Sequence, residues 1–361
     1  MEKPHLLQPS VCFYIHHHGA GHVMRAINIA DGLTDFKVCF LGSNLKPFLS
    51  LISDKIECIH LPLDLPVKDD LIFVEKQLTF LHYAPLGLNG QRDRISMLTD
   101  IFKYRYPVLL IVDVSVEITL LARLCGIPTI VIRQHGKRDD LPHLLAYESA
   151  ELLVAPFSET MASLDEEPWV KAKTLYAGGF SKYTADTNYI QEQTNCVAIL
   201  IGQGGTSIDT QFIHLLAHSC KDYIFHVIGQ LEGSVLKNHP NIIYHGRLND
   251  PLDILLSCAV VIGNAGHNTV MEMASLNKRF ICIPENRPFD EQLEKARFLK
   301  INGNATVINV ADLNLINWPD ELNAILQKEP NWLGVINKNA VYNIVNTVKQ
   351  TVNSLFGNPV L

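Results

Sequence analysis

Short apolar runs recur along the first half of the chain, at 11–15, 37–41, 56–60, 108–112, 129–132 and 152–155. They are rich in Val, Ile, Phe and Cys with little polar alternation, which predicts strands covered on both faces. Between them the spacing becomes helical. Within 22–33, Val23, Ile27, Ala30 and Leu33 fall on one stripe, and 115–125 is a second helical segment, ended by Gly126 and Pro128. Alternating strand and helix predict a parallel sheet with helices on both faces. The pattern restarts after Gly178-Gly179 and a polar stretch. A run at 196–201 opens a second series, with strands at 223–228, 242–245, 259–262 and 279–283 and helices beginning near Thr206, Pro251, Gly266 and Asp290. The expected fold class is α/β, with two doubly wound, Rossmann-like domains at 1–180 and 196–361 and a linker at 181–195. A last amphipathic segment, 337–356, has the reach to pack back across that linker. Segment 69–94 breaks the pattern: Phe73, Leu78, Phe80, Leu81, Tyr83 and Leu86 share no clean period. It reads either as a helix pair or as a binding loop with exposed apolar residues.

Size and charge narrow the function. At 361 residues the chain is long for one ordinary domain and comfortable for two. Lys plus Arg number 30 against 37 Asp plus Glu, a formal charge of −7 with no dense basic block, so nucleic acid is not an expected partner. The eight cysteines form no CxxC pair and mostly lie inside apolar runs. Buried reduced thiols in a cytoplasmic protein fit this better than a disulfide framework. The first ten residues hold too short an apolar stretch for a signal peptide. No apolar run approaches the roughly 20 residues that span a bilayer. A peripheral contact with a membrane surface stays open.

Four motifs carry chemistry. The first, His16-His17-His18-Gly19-Ala20-Gly21-His22-Val23-Met24-Arg25, leaves the first strand and opens the first helix. Such a turn lets a substrate approach the backbone, and the helix start supplies free N–H groups. A dinucleotide site is excluded twice: Met24 replaces the third glycine of GxGxxG, and the second strand ends in Leu41-Gly42-Ser43-Asn44 with no acid for a ribose. Four histidines here suggest a metal, but neighbours leaving a strand point in alternate directions, so no metal is assigned. His22, at the helix start and the mouth of the sheet, is the candidate general base. Asp113 ends an apolar strand at the same sheet edge. It can fix the tautomer of His22, or cap the helix that begins near Val116. In the second half, Gly202, Gly204, Gly205 and Thr206 form a backbone cradle for phosphate. The fourth motif, Gly263-Asn264-Ala265-Gly266-His267-Asn268-Thr269-Val270-Met271-Glu272, frees a helix N-terminus for an anion and places Glu272 one turn further in, where it could accept ribose hydroxyls. Glu291 and Gln292, in the next loop, could hold sugar hydroxyls.

These residues together resemble the GT-B glycosyltransferases, most nearly family 28, which contains the lipid II N-acetylglucosaminyltransferase. The resemblance implies two domains facing a cleft, with the acceptor on the first and a nucleotide sugar on the second. It identifies His22 as the base and Asp113 as its orienting acid. Gly21, Gly202, Gly204, Gly205, Thr206, Gly266, His267, Asn268, Thr269, Glu272, Glu291 and Gln292 become donor-binding residues. Lys295 stands where the family's last element carries Asn and is left outside the site. The implied activity is that of an inverting hexosyltransferase. It would move a sugar from a UDP-sugar to a small-molecule, lipid-linked or glycan acceptor, with no cofactor beyond the donor. No Asp-x-Asp occurs in the chain, so divalent metal is expected to be dispensable. The first motif is also like that of the UDP-sugar hydrolase of pseudaminic acid synthesis. A hydrolase, a sugar-nucleotide 2-epimerase or a non-catalytic nucleotide-sugar-binding protein therefore remains the alternative.

Overall fold

Two separate parallel sheets carry the chain in the computed structural model, which describes residues 8–17, 20–163, 165–183, 190–202, 204–231 and 239–357. The first sheet holds β1 (Ser10–Ile15), β2 (Lys37–Gly42), β3 (Glu57–His60), β4 (Val108–Asp113), β5 (Thr129–Ile132), β6 (Leu152–Ala155) and β7 (Thr174–Tyr176), in spatial order 3-2-1-4-5-6-7. The second holds β8 (Gln193–Leu200), β9 (Ile224–Ile228), β10 (Ile242–Gly246), β11 (Cys258–Gly263), β12 (Arg279–Cys282) and β13 (Thr306–Val307), in order 10-9-8-11-12-13. Each sheet reverses its winding once, between β1 and β4 and between β8 and β11. Open α/β sheets leave a crevice at such a reversal, beyond the carboxyl ends of the strands. Strands β1, β4 and β11 are buried along their whole length, as their unbroken apolar runs require.

The helices are α1 (Ala20–Ala30), α2 (Asn89–Tyr104), α3 (Val116–Leu124), α4 (Leu141–Ser149), α5 (Pro168–Ala172), α6 (Thr210–Ser219), α7 (Leu252–Ser257), α8 (His267–Ser275), α9 (Glu291–Ile301), α10 (Trp318–Leu326) and α11 (Ala340–Phe356). Although α11 ends the described chain, its Ile344, Val345, Val348 and Val352 share a core with Val23, Ile27 and Ala30 of α1. Among the described residues, no helix is long and apolar enough to cross a membrane.

Three local expectations change. Helix α3 is capped by Ser115, whose hydroxyl accepts from Ile118 N, so Asp113 is released from that duty. Helix α6 begins at Thr210 rather than near Thr206, because the Asp209 carboxylate accepts from Phe212 N and fixes the start there. Most of 69–94 is an irregular loop, pinned by a bridge between Val74 and Leu86, and only its end joins α2. This loop leaves Leu71 (98%), Ile72 and Leu86 exposed.

Candidate active site

The reversal in the first sheet brings the first motif and Asp113 together. Ile15 of β1 pairs in register with Asp113 of β4, so the two strands end side by side, with α1 rising from β1. His22 Nδ1 lies 3.1 Å from Asp113 Oδ1, a contact whose alignment falls short of a hydrogen bond. A residue outside the sequence-derived set claims the same carboxylate. Arg25 Nη1 donates to Asp113 Oδ1 at 2.9 Å and Oδ2 at 2.8 Å, with both side chains buried. Burial alone would raise the carboxyl of Asp113. The charges of Arg25 and His22 outweigh it and hold the group below its usual range, as a carboxylate. The signal for Arg25 was its spacing: three residues after His22, it falls on the same helix face.

His18 and Gly19 lie outside the described residues, as does Gln203. His16 and His17 do not diverge as strand neighbours would. Their rings stack 4.6 Å apart, because β1 ends at Ile15 and strand alternation stops with it. Another group does have metal-like spacing: ligand atoms of His82, Asp140 and His143 lie within 4.8 Å of one another. Arg138 Nη1, however, donates to His143 Nε2 at 2.9 Å, so Nδ1 carries the ring proton and gives it to Asp140 at 2.9 Å. This is a hydrogen-bonded string rather than a ligand set.

The second sheet's reversal builds the facing wall. Gly266 precedes α8 with no side-chain cap, so the first N–H groups of the helix have no partner within it, and His267 and Asn268 at its start line the cleft. Asn268 reaches across the domains: a Cβ on Gly21 would stand 3.4 Å from its Nδ2. Burial, then the charges of Arg25, Lys295 and His135, push His267 well below the usual histidine range, so it is neutral at physiological pH. Glu272 makes no hydrogen bond to another described side chain, and burial raises its carboxyl despite the opposing charge of Lys182. A cleft of about 1310 Å³ runs between the domains, lined by Arg25 and Asn28 on one side and by Gly202, Gly205, Thr206, His267, Asn268 and Glu272 on the other.

The glycine loop is braced from below by Glu285, which sequence reasoning passed over. Its carboxylate accepts from Ser207 N, from Ser207 Oγ at 3.0 Å, from Thr206 Oγ1 at 3.3 Å and from Asn264 Nδ2 at 3.1 Å. Both glycine motifs are thus tied to one acid at the end of β12. Glu291 and Gln292 do not line this cleft. Gln292 is buried, and its Oε1 accepts from Glu285 N at 3.0 Å. Glu291 instead belongs to the charged space around His22. Burial would raise its carboxyl, but Lys295, Arg138 and His22 together lower it. Lys295 is 0% exposed and sits beneath the site, its Nζ donating to Ala265 O at 3.1 Å and to Glu291 Oε1 at 3.4 Å. The loop leading to Glu291 also locks the domains together. Phe289 O accepts from Lys137 N at 2.7 Å, the Phe289 ring lies under the Arg138 guanidinium at 4.9 Å, and Gly136 leaves room where a Cβ would meet that carbonyl.

Comparison with known proteins fits this arrangement. A curated relative, the UDP-N-acetylglucosamine–N-acetylmuramyl-(pentapeptide) pyrophosphoryl-undecaprenol N-acetylglucosamine transferase of Streptococcus pyogenes serotype M4 (strain MGAS10750), is 23% identical over 236 residues. That match covers 61% of this chain and 62% of the relative's length. Among solved structures, the glycotransferase of kitacinnamycin superposes with a TM-score of 0.66 at 13% identity, covering 97% of this chain and 96% of that one. Acinetobacter baumannii MurG gives 0.62 at 15% identity, covering 95% and 100%. A UDP-glucosyltransferase from Polygonum tinctorium gives 0.66 at 13%, covering 98% and 99%. The fold is therefore the GT-B fold of glycosyltransferases, and residues 204–348 match the glycosyltransferase family 28 C-terminal domain.

Proposed function

We propose that the protein is an inverting glycosyltransferase that moves a sugar from a UDP-sugar to a hydroxyl acceptor. The observation that carries this reading is the placement of His22 and Asp113 at one sheet's reversal, opposite the free N-terminus of α8 at the other's. Asp113 faces Nδ1, so Nε2 of His22 is left to take the acceptor's hydroxyl proton. The acceptor oxygen then attacks the anomeric carbon as the bond to the β-phosphate oxygen breaks. The electron pair leaves with UDP, and the sugar's configuration inverts. Negative charge growing on the diphosphate meets the N–H groups of 267–269 and of 204–206. Removing one such donor from a comparable site costs about 3–4 kcal/mol. Glu272 accepts the ribose hydroxyls. No divalent metal enters this scheme.

The exposed apolar loop and the undecaprenol-linked acceptor in the relative's name both favour a lipid-linked acceptor among the candidate classes, met at the cytoplasmic membrane surface. The test is a donor screen. UDP should raise the melting temperature more than NAD or ATP does, and mass spectrometry should find glycosylated product only when acceptor is present. Greater protection by NAD would overturn the reading. Free sugar released at an undiminished rate without acceptor would replace it with the hydrolase.

A further inference from the structure

We propose that Phe289 is a positioning residue for the sugar transfer: the first domain clasps it, and through it sets the glycine cradle of the second. Phe289 and Asp290 follow one another in the left-handed backbone region, at φ 61° and 54°. Residues with a Cβ take that conformation rarely, and for one as bulky as Phe it is a genuine outlier. It persists only where the surroundings over-determine it. Here the surroundings come from the other domain. Lys137 contributes twice, with its N–H donated to Phe289 O at 2.7 Å and its Nζ 2.8 Å from Asp290 Oδ2. The ring meets His143 nearly perpendicular at 4.7 Å, His82 at 5.0 Å and the Arg138 guanidinium at 4.9 Å. His82 is itself fixed, its backbone N–H donating to Glu117 Oε1 at 2.8 Å. Gly136 completes the clasp at φ 107°, where a Cβ would stand 2.4 Å from Phe289 O.

Asp290 is the residue from which α9 starts. An N-cap ordinarily sits in extended backbone, so the left-handed one here turns the chain sharply into the helix. The clasp therefore sets where α9 begins. The first turn of the helix reaches back: Gln292 Oε1 accepts from Glu285 N at 3.0 Å, and the Glu285 carboxylate accepts from Ser207 N and Thr206 Oγ1. Arg287 adds a second tie just before the clasp, its Nη2 donating to Gly205 O at 2.5 Å. A contiguous set of hydrogen bonds thus runs from the clasp to 204–208, the kind of network through which a displacement at one end is felt at the other. Phe289, Asp290 and Gln292 do not line the cleft, so they act on the donor through 204–208 rather than by touching it.

The experiment is hydrogen exchange on the full chain without substrate, then turnover at saturating donor and acceptor. Phe289→Ala should speed exchange at Ser207 and Ile208, whose amides are bonded to Glu285 and Thr206, by about tenfold or more, while β8 and β11 stay protected. Phe289→Tyr, which keeps the ring, should restore the parent's rate. Gly136→Ala alters only the first domain, yet it should speed the same two amides by forcing Phe289 O away. In turnover, Phe289→Ala should lower kcat roughly tenfold or more, and Phe289→Tyr should recover it. Unchanged exchange at Ser207 and Ile208 in Phe289→Ala would overturn the proposal. So would faster exchange throughout the second domain, the mark of a merely structural residue, or faster exchange at the loop with kcat intact. The inference rests on the proposed function in taking 204–208 as the donor cradle. Exchange is read without substrate, so a parent chain that transfers no sugar would sink that reading while leaving the clasp itself measurable, and an absent clasp would leave that reading untouched.

Discussion

Asp113 Oδ1 is 3.1 Å from His22 Nδ1 and 2.9 Å from Arg25 Nη1, so a change at Asp113 acts on two neighbours at once. His22→Ala should cut turnover by roughly 10²–10⁴-fold, the usual share of a positioned base, while UDP affinity measured by calorimetry stays the same. Asp113→Asn should slow turnover and also lower Tm, because the buried Arg25 guanidinium loses its counter-charge; breaking a buried pair costs about 3–5 kcal/mol at the upper end. A variant as stable as the parent would show that Arg25 finds another partner. Glu272 gives a pH signature. Its carboxyl is raised by burial, so on acidification it protonates before ordinary glutamates do. The charged form is the better acceptor for ribose hydroxyls. UDP affinity should therefore fall as pH drops through the region above the usual glutamate value. Glu272→Gln should flatten that profile, and an equal fall in the variant would place the titrating group elsewhere. The positions of His22, Asp113 and Glu272 in the fold were legible because each stands at a fixed offset from a strand end or a glycine turn. Arg25 and Glu285 were not, because a buried charge is found by the partner it meets in space, and those partners are 88 and 78 residues away.

At the scale of elements, apolar periodicity located most strands to within a residue or two, since strands buried on both faces leave an uninterrupted signal. The edge strand β13, two residues long, carries too little of it to be read. The start of α6 was misread for another reason: glycines suggested a turn running straight into a helix, while the Asp209 cap moves that start one turn on. Residues 204–208 are consequently a free-standing loop, and Glu285 is what shapes it. Glu285→Ala removes the acceptor for Ser207 N and three further donors, each bond to a charged group being worth about 1.5–3 kcal/mol. Exposed donors would recover water, so the stability loss should be modest. The loop itself should lose its set geometry, and UDP binding should weaken at least tenfold by calorimetry. Unchanged UDP affinity with lowered stability would mean that this loop does not hold the diphosphate.

Across the whole molecule, α1 is the element on which the proposed chemistry turns, and it is held from both ends of the chain. It rises from β1, yet its apolar stripe packs on α11, more than 300 residues later, and Lys349 Nζ ties that helix to Asp35 at 2.6 Å. The sequence offered the amphipathic pattern of 337–356, but the pattern alone names no partner, since many apolar faces in the chain could receive it. Gly32, just beyond α1, makes the close approach possible: a Cβ there would stand 2.6 Å from Val345 Cγ2, and Val345 is stiff and buried. Gly32→Ala should therefore lower stability by about 1–3 kcal/mol through overpacking. Pairing it with Val345→Ala vacates the clashing methyls. The double variant should regain part of what Gly32→Ala loses, a coupling read from a denaturation double-mutant cycle. Turnover gives the second readout. Displacing α11 tilts α1 and moves His22 relative to the facing domain, so Gly32→Ala should depress kcat while UDP affinity holds, because the donor residues lie on the other sheet. Strict additivity of the two substitutions would mean that α1 and α11 do not bear on each other at this point, and that the end of the chain has no part in setting the base.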